Sequence, residues 1–241
     1  MAANPNPEPP PFVLTDMDRE VLSQTDDEFA FHDWDNLKDI IGTEKKKKKR
    51  ASFWTMYEFY YLQIPTGKKT ARNDLGALRR KPSDLVRYIA WSRQVKSQYN
   101  SVTDYICQNR LHWSSPFTFE SAVPFAHPAD YKILRNDWPY GISPDITHLV
   151  VWLRTPVPVK EDDGDMTREA RALIDAFVRK TFTDRLKDIY PDPEEHVIWF
   201  KNWTALQSVR ALEHIHVMVR DVADEIVVEW TGEKSLKQDV S

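Results

Sequence analysis

Residues 212–217 read Leu212-Glu213-His214-Ile215-His216-Val217. In an extended segment successive side chains point to opposite faces, which puts His214 and His216 on one surface with Leu212 and Met218, and Ile215, Val217 and Val219 on the other. Near neutral pH each imidazole offers one donor and one acceptor nitrogen. Two on one face can shuttle a proton, supply a nucleophile and its neighbour in group transfer, or give two metal ligands. Buried histidines also simply satisfy carbonyls, which is the competing reading. A metal would need a third ligand from Glu213, His148 or His196, which sequence spacing does not bring together, so no metal is expected.

The approach to this strand concentrates groups that hold oxygen anions: the Lys201 ammonium, the Asn202 and Gln207 amides and the Ser208 hydroxyl. Fixed donors beside two imidazoles form a cradle for an anionic group, where they stabilise charge on oxygen. Further upstream, Asn136-Asp137-Trp138-Pro139-Tyr140-Gly141 has the composition of a rigid turn, and its Trp138 and Tyr140 can stack on a sugar or base. That turn leads into a segment carrying His148. The candidate site is therefore His214 and His216 as catalytic groups, with His148, Asn202, Gln207, Ser208, Lys201, Trp138 and Tyr140 as substrate-binding groups.

These groups need elements to position them. Ile146 to Leu153 is β-branched and apolar enough for a central strand that Pro156 and Pro158 stop, and His196 to Phe200 and Leu212 to Val219 read as two more. Glu225 to Trp230 could add a fourth, with connections suited to antiparallel pairing. Between the first two strands, Ala170, Leu173, Ile174, Phe177, Val178 and Phe182 recur at helical spacing, predicting a long helix from about Thr167 to Tyr190. The first half is helical: Trp34, Leu37, Ile40 and Ile41 after a cap at Asp33, a second helix opening at Pro82 with Ser83 as cap, and a third from Val102 to about Leu111. The fold class is α+β, a helical N-terminal half packed on an antiparallel sheet with one long helix.

The 241 residues are 41% hydrophobic and 29% charged, enough for one sizeable core, and no Gly/Ser-rich linker divides them. We expect a Pro-rich arm over 1–28, a single α+β domain over 29–232 and a tail over 233–241. The lone cysteine, Cys107, suits a reducing compartment and has no adjacent base to activate it. No apolar run long enough for a membrane span and no leader composition appear at the start, so a cytoplasmic protein is expected. A net charge of −4 argues against a broad nucleic-acid-binding face. The run Lys45 to Arg50 is the local exception, readable as a nuclear-import address or as a solvated loop. No Walker loop or Rossmann glycine pattern is present and no cofactor is expected; the partner expected is a small molecule, and no oligomeric state follows from the sequence.

Two resemblances add to this. The order strand, helix, strand, strand over 137–219, with His148 on the first strand, Asn202 after the second and Gln207-Ser208-Val209 leading into His214-Ile215-His216-Val217, resembles the histidine-triad (HIT-like) nucleotide-binding proteins. That likeness implies attack on a phosphate by His214, with His216 as last histidine and Asn202, Gln207 and Ser208 on the phosphate oxygens. Leu212 stands where the first triad histidine would be, Glu213 holds an apolar place, Leu206 replaces a glycine, and the link from Val209 is one residue longer. Arg79 to Tyr88, Asp130 to Gly141 and Trp199 through Val217 resemble more closely a fungal family of unknown function containing the N-acetylglucosamine-induced protein 1, across 29–42 and 74–230. This second likeness implies a cytosolic protein tied to amino-sugar response and no established reaction. Against its pattern, 43–73 stands as an insertion or as translated intron. The functional expectation is a protein that binds or turns over a phosphate ester, nucleotide or sugar nucleotide as a hydrolase or transferase; the alternative is a non-enzymatic amino-sugar-response or metabolite-binding protein with a degenerate site.

Overall fold

The computed structural model describes residues 14–42, 74–114, 116–160, 166–202, 207, 209 and 211–235. The lysine run, the 43–73 segment, the proline cluster before residue 14, Ser208 and the end of the tail lie outside the described residues.

Four strands form one antiparallel sheet in the order β1-β2-β4-β3, with β1 Tyr131–Arg135, β2 Ile146–Leu153, β3 Val197–Phe200 and β4 Glu213–Arg220. The β2–β4 register sets Trp152 opposite His214 and Val150 opposite His216, while β3 sets Phe200 opposite His216. Both central strands are buried almost throughout, because both faces of the sheet are covered.

One face carries Leu149, Val151, Ile215, Val217 and Val219. It packs against Ile174, Phe177 and Val178 of α5 (Arg168–Val178, the fifth helix in chain order), and against Phe182 and Leu186 in the wider and tighter turns that prolong it. Thr167 caps α5 by accepting the Ala170 amide proton at 3.1 Å. The opposite face carries the histidines. Its centre meets α3 (Pro82–Tyr99) and α4 (Val102–Ile106), where Val95, Ile106 and Cys107 pack with Val150, Trp152 and Leu212. Its edge meets α2 (Trp34–Ile41), where Trp34, Leu37 and Ile40 pack with Ile198, Phe200 and Met218. Asp33 caps α2, and Gly42 closes it at a φ of 82°, a left-handed position that suits glycine.

The structure corrects four expectations. Glu225 to Trp230 is not a strand but lies within α6 (Asp224–Thr231), where Asp224 and Glu225 occupy the first turn, Ile226 and Val227 reach the core, and Gly232 ends the helix at a φ of 68°. The fourth strand is β1, whose polar Lys132 and Arg135 conceal a period of two. Residues 14–28 are not all arm: Thr15 and Asp18 form a reciprocal capping box opening α1 (Asp16–Leu22), and Val21 buries against Leu85 and Tyr88. Ser83 is not the cap of α3. Its amide and hydroxyl donate to the Asp26 carboxylate at 2.9 and 2.6 Å, placing a distant acid at the helix start. The hydrogen bonds from Ser83 hold the Asp26 pKa low.

A candidate anion pocket on the histidine face

A cavity of about 440 Å³ opens between the histidine face of the sheet, α1, α3 and the turn around Trp138. Its wall includes His214, His216, Asn202, Gln207, Trp138 and Tyr140. Six of the nine residues expected at the site thus converge on one space, from β4, from the chain leaving β3 and from the turn between β1 and β2. His148 sits one layer behind, with its ring stacked on Tyr140 at 5.4 Å. Lys201 is not on this wall: its ammonium pairs with Glu213 at 3.2 Å, drawn by a carboxylate on the side of β4 away from the imidazoles.

The histidine strand holds its rings by specific contacts. His214 packs beside Trp152, ring centroids 4.8 Å apart, and His216 stacks on Phe200 at 4.8 Å. His214 Nδ1 lies 3.0 Å from the Leu212 carbonyl oxygen. A carbonyl only accepts, so Nδ1 carries the proton and Nε2 keeps its lone pair. Among the described residues that nitrogen has no protein partner, and the ring forms part of the cavity wall.

His216 has the opposite polarity. The Trp138 amide donates to Asn136 Oδ1 at 3.0 Å, which turns the Asn136 NH₂ toward His148, 3.2 Å from Nδ1 and 3.3 Å from Nε2. His148 Nε2 also lies 2.9 Å from His216 Nδ1. Every ring nitrogen has a complementary partner when His148 Nδ1 accepts from Asn136, His148 Nε2–H donates to His216 Nδ1, and His216 carries its proton on Nε2. The Asn202 amide nitrogen lies 3.2 Å from that Nε2, leaving Asn202 Oδ1 buried without a partner. Rotating the amide by half a turn lets the oxygen accept from Nε2–H and leaves the NH₂ free to donate to a further acceptor. Gln207 braces this segment by donating to the Asn202 carbonyl at 2.8 Å.

Burial sets the protonation of all three rings. Loss of solvent lowers the pKa of His148 to about 3 and that of His214 to about 4, and pushes His216 well down too. At neutral pH the cluster is uncharged, so His214 presents a free lone pair, while the neutral N–H of His216 is taken up by Asn202.

Residues that the sequence reading left out also line the cavity, among them Arg80, Arg135, Asn136, Tyr88 and Trp91. The triplet Arg79-Arg80-Lys81 before Pro82 was visible, but only the fold shows that Arg79 and Arg80 both line the cavity and that Arg79 is paired with Glu20. Among the described residues no three His, Cys, Asp or Glu side chains cluster as a metal site, and no helix is long and apolar enough to cross a membrane.

Comparisons with known proteins place the chain in a family. N-acetylglucosamine-induced protein 1 of Candida albicans is 30% identical over 175 residues, covering 65% of this chain and 67% of the relative. The uncharacterized protein YPL067C of Saccharomyces cerevisiae is 30% identical over 140 residues, covering 53% of this chain and 68% of the relative. The crystal structure of HTC1 superimposes with a TM-score of 0.52 at 26% identity, over 68% of this chain and 84% of that one. A family model described as a protein of unknown function, DUF3605, matches residues 66–220, from before α3 to the end of β4, and the chain belongs to that family.

Proposed function

We propose that the cavity binds a small phosphate ester, such as a nucleotide, sugar nucleotide or amino-sugar phosphate, and that the protein acts on it as a hydrolase or transferase through His214. The observation that carries this reading is the His214 Nδ1–H bond to the Leu212 carbonyl, which leaves Nε2 as a lone pair on the cavity wall. Attack by Nε2 forms a nitrogen–phosphorus bond as the ester oxygen leaves with the bonding electrons. The Leu212 carbonyl stabilises the positive charge that then develops on the ring. Water, or a second acceptor, takes the phosphoryl group and restores the neutral imidazole. The Asn202 amide NH₂, oriented by the His216 Nε2–H bond to its oxygen, supplies a neutral hydrogen bond to a phosphate oxygen. The likeness of the strand to histidine-triad proteins points the same way.

The absent first triad histidine supports a second reading. Leu212 is buried in the α3–α4 core, so that position supplies packing rather than chemistry. In this reading the pocket is a metabolite sensor, and the name of the Candida relative suggests amino-sugar phosphates as ligands to try. Purified protein is incubated with a panel of nucleotides, nucleotide sugars and N-acetylglucosamine phosphates. Turnover abolished by His214→Ala supports the enzyme; saturable binding without turnover supports the sensor; neither result with any compound removes both.

A further inference from the structure

Four arginines line the cavity, and three of them are neutralised. Arg79 pairs with Glu20 at 3.3 Å, Arg110 with Asp137 at 2.8 Å and Glu233 at 2.7 Å, and Arg135 with Asp224 at 2.6 Å. Lys96, also on the wall, is itself engaged.

Arg80 is held differently. Its guanidinium carbon lies 4.1 Å from the centre of the Tyr88 ring and 5.5 Å from that of Tyr140, and no carboxylate pairs with it among the described residues. Its Nε is buried with no hydrogen-bond acceptor, as is that of Arg135, whose guanidinium, unlike that of Arg80, is paired with carboxylates. Aromatic faces fix the orientation of a guanidinium without cancelling its charge or using its N–H groups. A buried donor without an acceptor is costly and uncommon, and here it belongs to a cation on a cavity wall. Its positive charge also reaches the imidazoles, adding to the effect of burial in holding His148 and His216 neutral.

We propose that Arg80 is the anion anchor of this cavity, presenting its planar fork to the phosphate group of a monoester while Tyr88 and Tyr140 hold it in place. The proposal deepens the phosphate-ester reading and rests on it. It moves the cationic role from Lys201, which Glu213 occupies, to a residue on another element. It also sets a ligand class. With the histidines neutral and three arginines paired, one guanidinium matches one phosphate group rather than a polyphosphate chain. The body of the ester meets the indole of Trp138, packed 5.2 Å from Trp91, so a ring-bearing monoester fits the wall.

The test uses the full chain, with inorganic phosphate and phenyl phosphate as probes. The Nε–H resonance of Arg80, assigned by its loss in Arg80→Lys, should shift saturably with both probes. Arg80→Gln should weaken phenyl phosphate binding by about tenfold or more, the range for losing a hydrogen bond to a charged group, and Arg80→Lys should fall between it and the parent. An Arg80 resonance unmoved by either probe overturns the proposal even if Arg80→Gln does not fold. So does phenyl phosphate binding that Arg80→Gln leaves unchanged. Arg80-dependent binding with no turnover of any ester overturns the catalytic reading and leaves the anchor standing; His214-dependent turnover without any Arg80 effect does the reverse.

Discussion

His148 Nε2 lies 2.9 Å from His216 Nδ1, a side-chain hydrogen bond linking the two central strands beneath the cavity. The bond makes the two rings a single tautomeric unit whose direction is set at its far end, where the Trp138 amide fixes Asn136. The turn that supplies an aromatic wall therefore also decides which nitrogen of His216 carries the proton.

Long-range proton–nitrogen NMR of the imidazoles reads this directly. At neutral pH His214 is expected as the Nδ1–H tautomer, and His148 and His216 as Nε2–H. Asn136→Leu removes the donor that sets the direction and should mix the tautomers of His148 and His216 while leaving His214 unchanged. A protonated Nε2 on His214 in the parent protein would remove the nucleophile.

The same burial makes stability sensitive to acid. In the unfolded chain an imidazole takes its proton near pH 6.5, whereas in the folded chain His214 stays neutral to about pH 4 and His148 to about pH 3. Between those values the unfolded state holds more protons, so stability falls as pH falls, by roughly 1.4 kcal/mol per pH unit for each such histidine. Stability from this source is fully present above about pH 6.5. Urea denaturation at a series of pH values should show the slope, and His214→Asn should reduce it by one proton's share. An unchanged slope in that variant would show that His214 is protonated in the folded state.

Gly141 is where the N-terminal segment meets the site. Its amide donates to the Arg79 carbonyl at 2.7 Å, and its carbonyl accepts from the His32 amide at 2.8 Å. A Cβ there would lie 2.3 Å from Phe29 Cε1 and 2.6 Å from Cζ, and Phe29 is buried. Gly141→Ala should cost about 1–3 kcal/mol by overpacking. It should also weaken phosphate binding, since Tyr140 and Arg80 flank the displaced contacts. Gly76→Ala, where the nearest atom to a Cβ is Asp74 Oδ1 at 3.8 Å, is the control expected to change stability by less than about 1 kcal/mol.

The readable parts of this chain are those whose packing follows a local period. Trp34, Leu37 and Ile40 announce α2, and the alternation through His214 and His216 announces a shared face. Other features depend on partners far along the chain. β1 hides behind Lys132 and Arg135, whose charges are taken up by the Arg110 carbonyl and by Asp224. α6 hides behind β-branched residues that favour strands in isolation but here fill the space above β1 and β2. Lys201 looks like a phosphate ligand until Glu213 is placed beside it, and Arg80 looks like any member of a basic triplet until its neighbours find carboxylates. Site chemistry was legible where it depended on alternation, and illegible where it depended on which charges cancel.

Charge cancellation at the cavity can itself be altered. Glu233, within the expected tail, accepts from Arg110 Nη2 at 2.7 Å and from the Arg135 amide at 2.8 Å, tying the end of α6 to β1 and to the turn after α4. Glu233→Gln keeps the size and some of the hydrogen bonding but removes the negative charge, leaving Arg110 with Asp137 alone and Arg135 with Asp224 alone. Loss of a partly buried, charge-assisted contact should cost roughly 1–3 kcal/mol of stability in urea denaturation. The cavity, however, becomes more positive by about one charge, so phenyl phosphate should bind several-fold more tightly at low salt, and the gain should shrink as salt rises. Lower stability together with tighter anion binding separates an electrostatic role from a packing defect, which would weaken both. A variant that loses stability and gains no affinity would show that the Arg110 and Arg135 charges do not act on the bound anion.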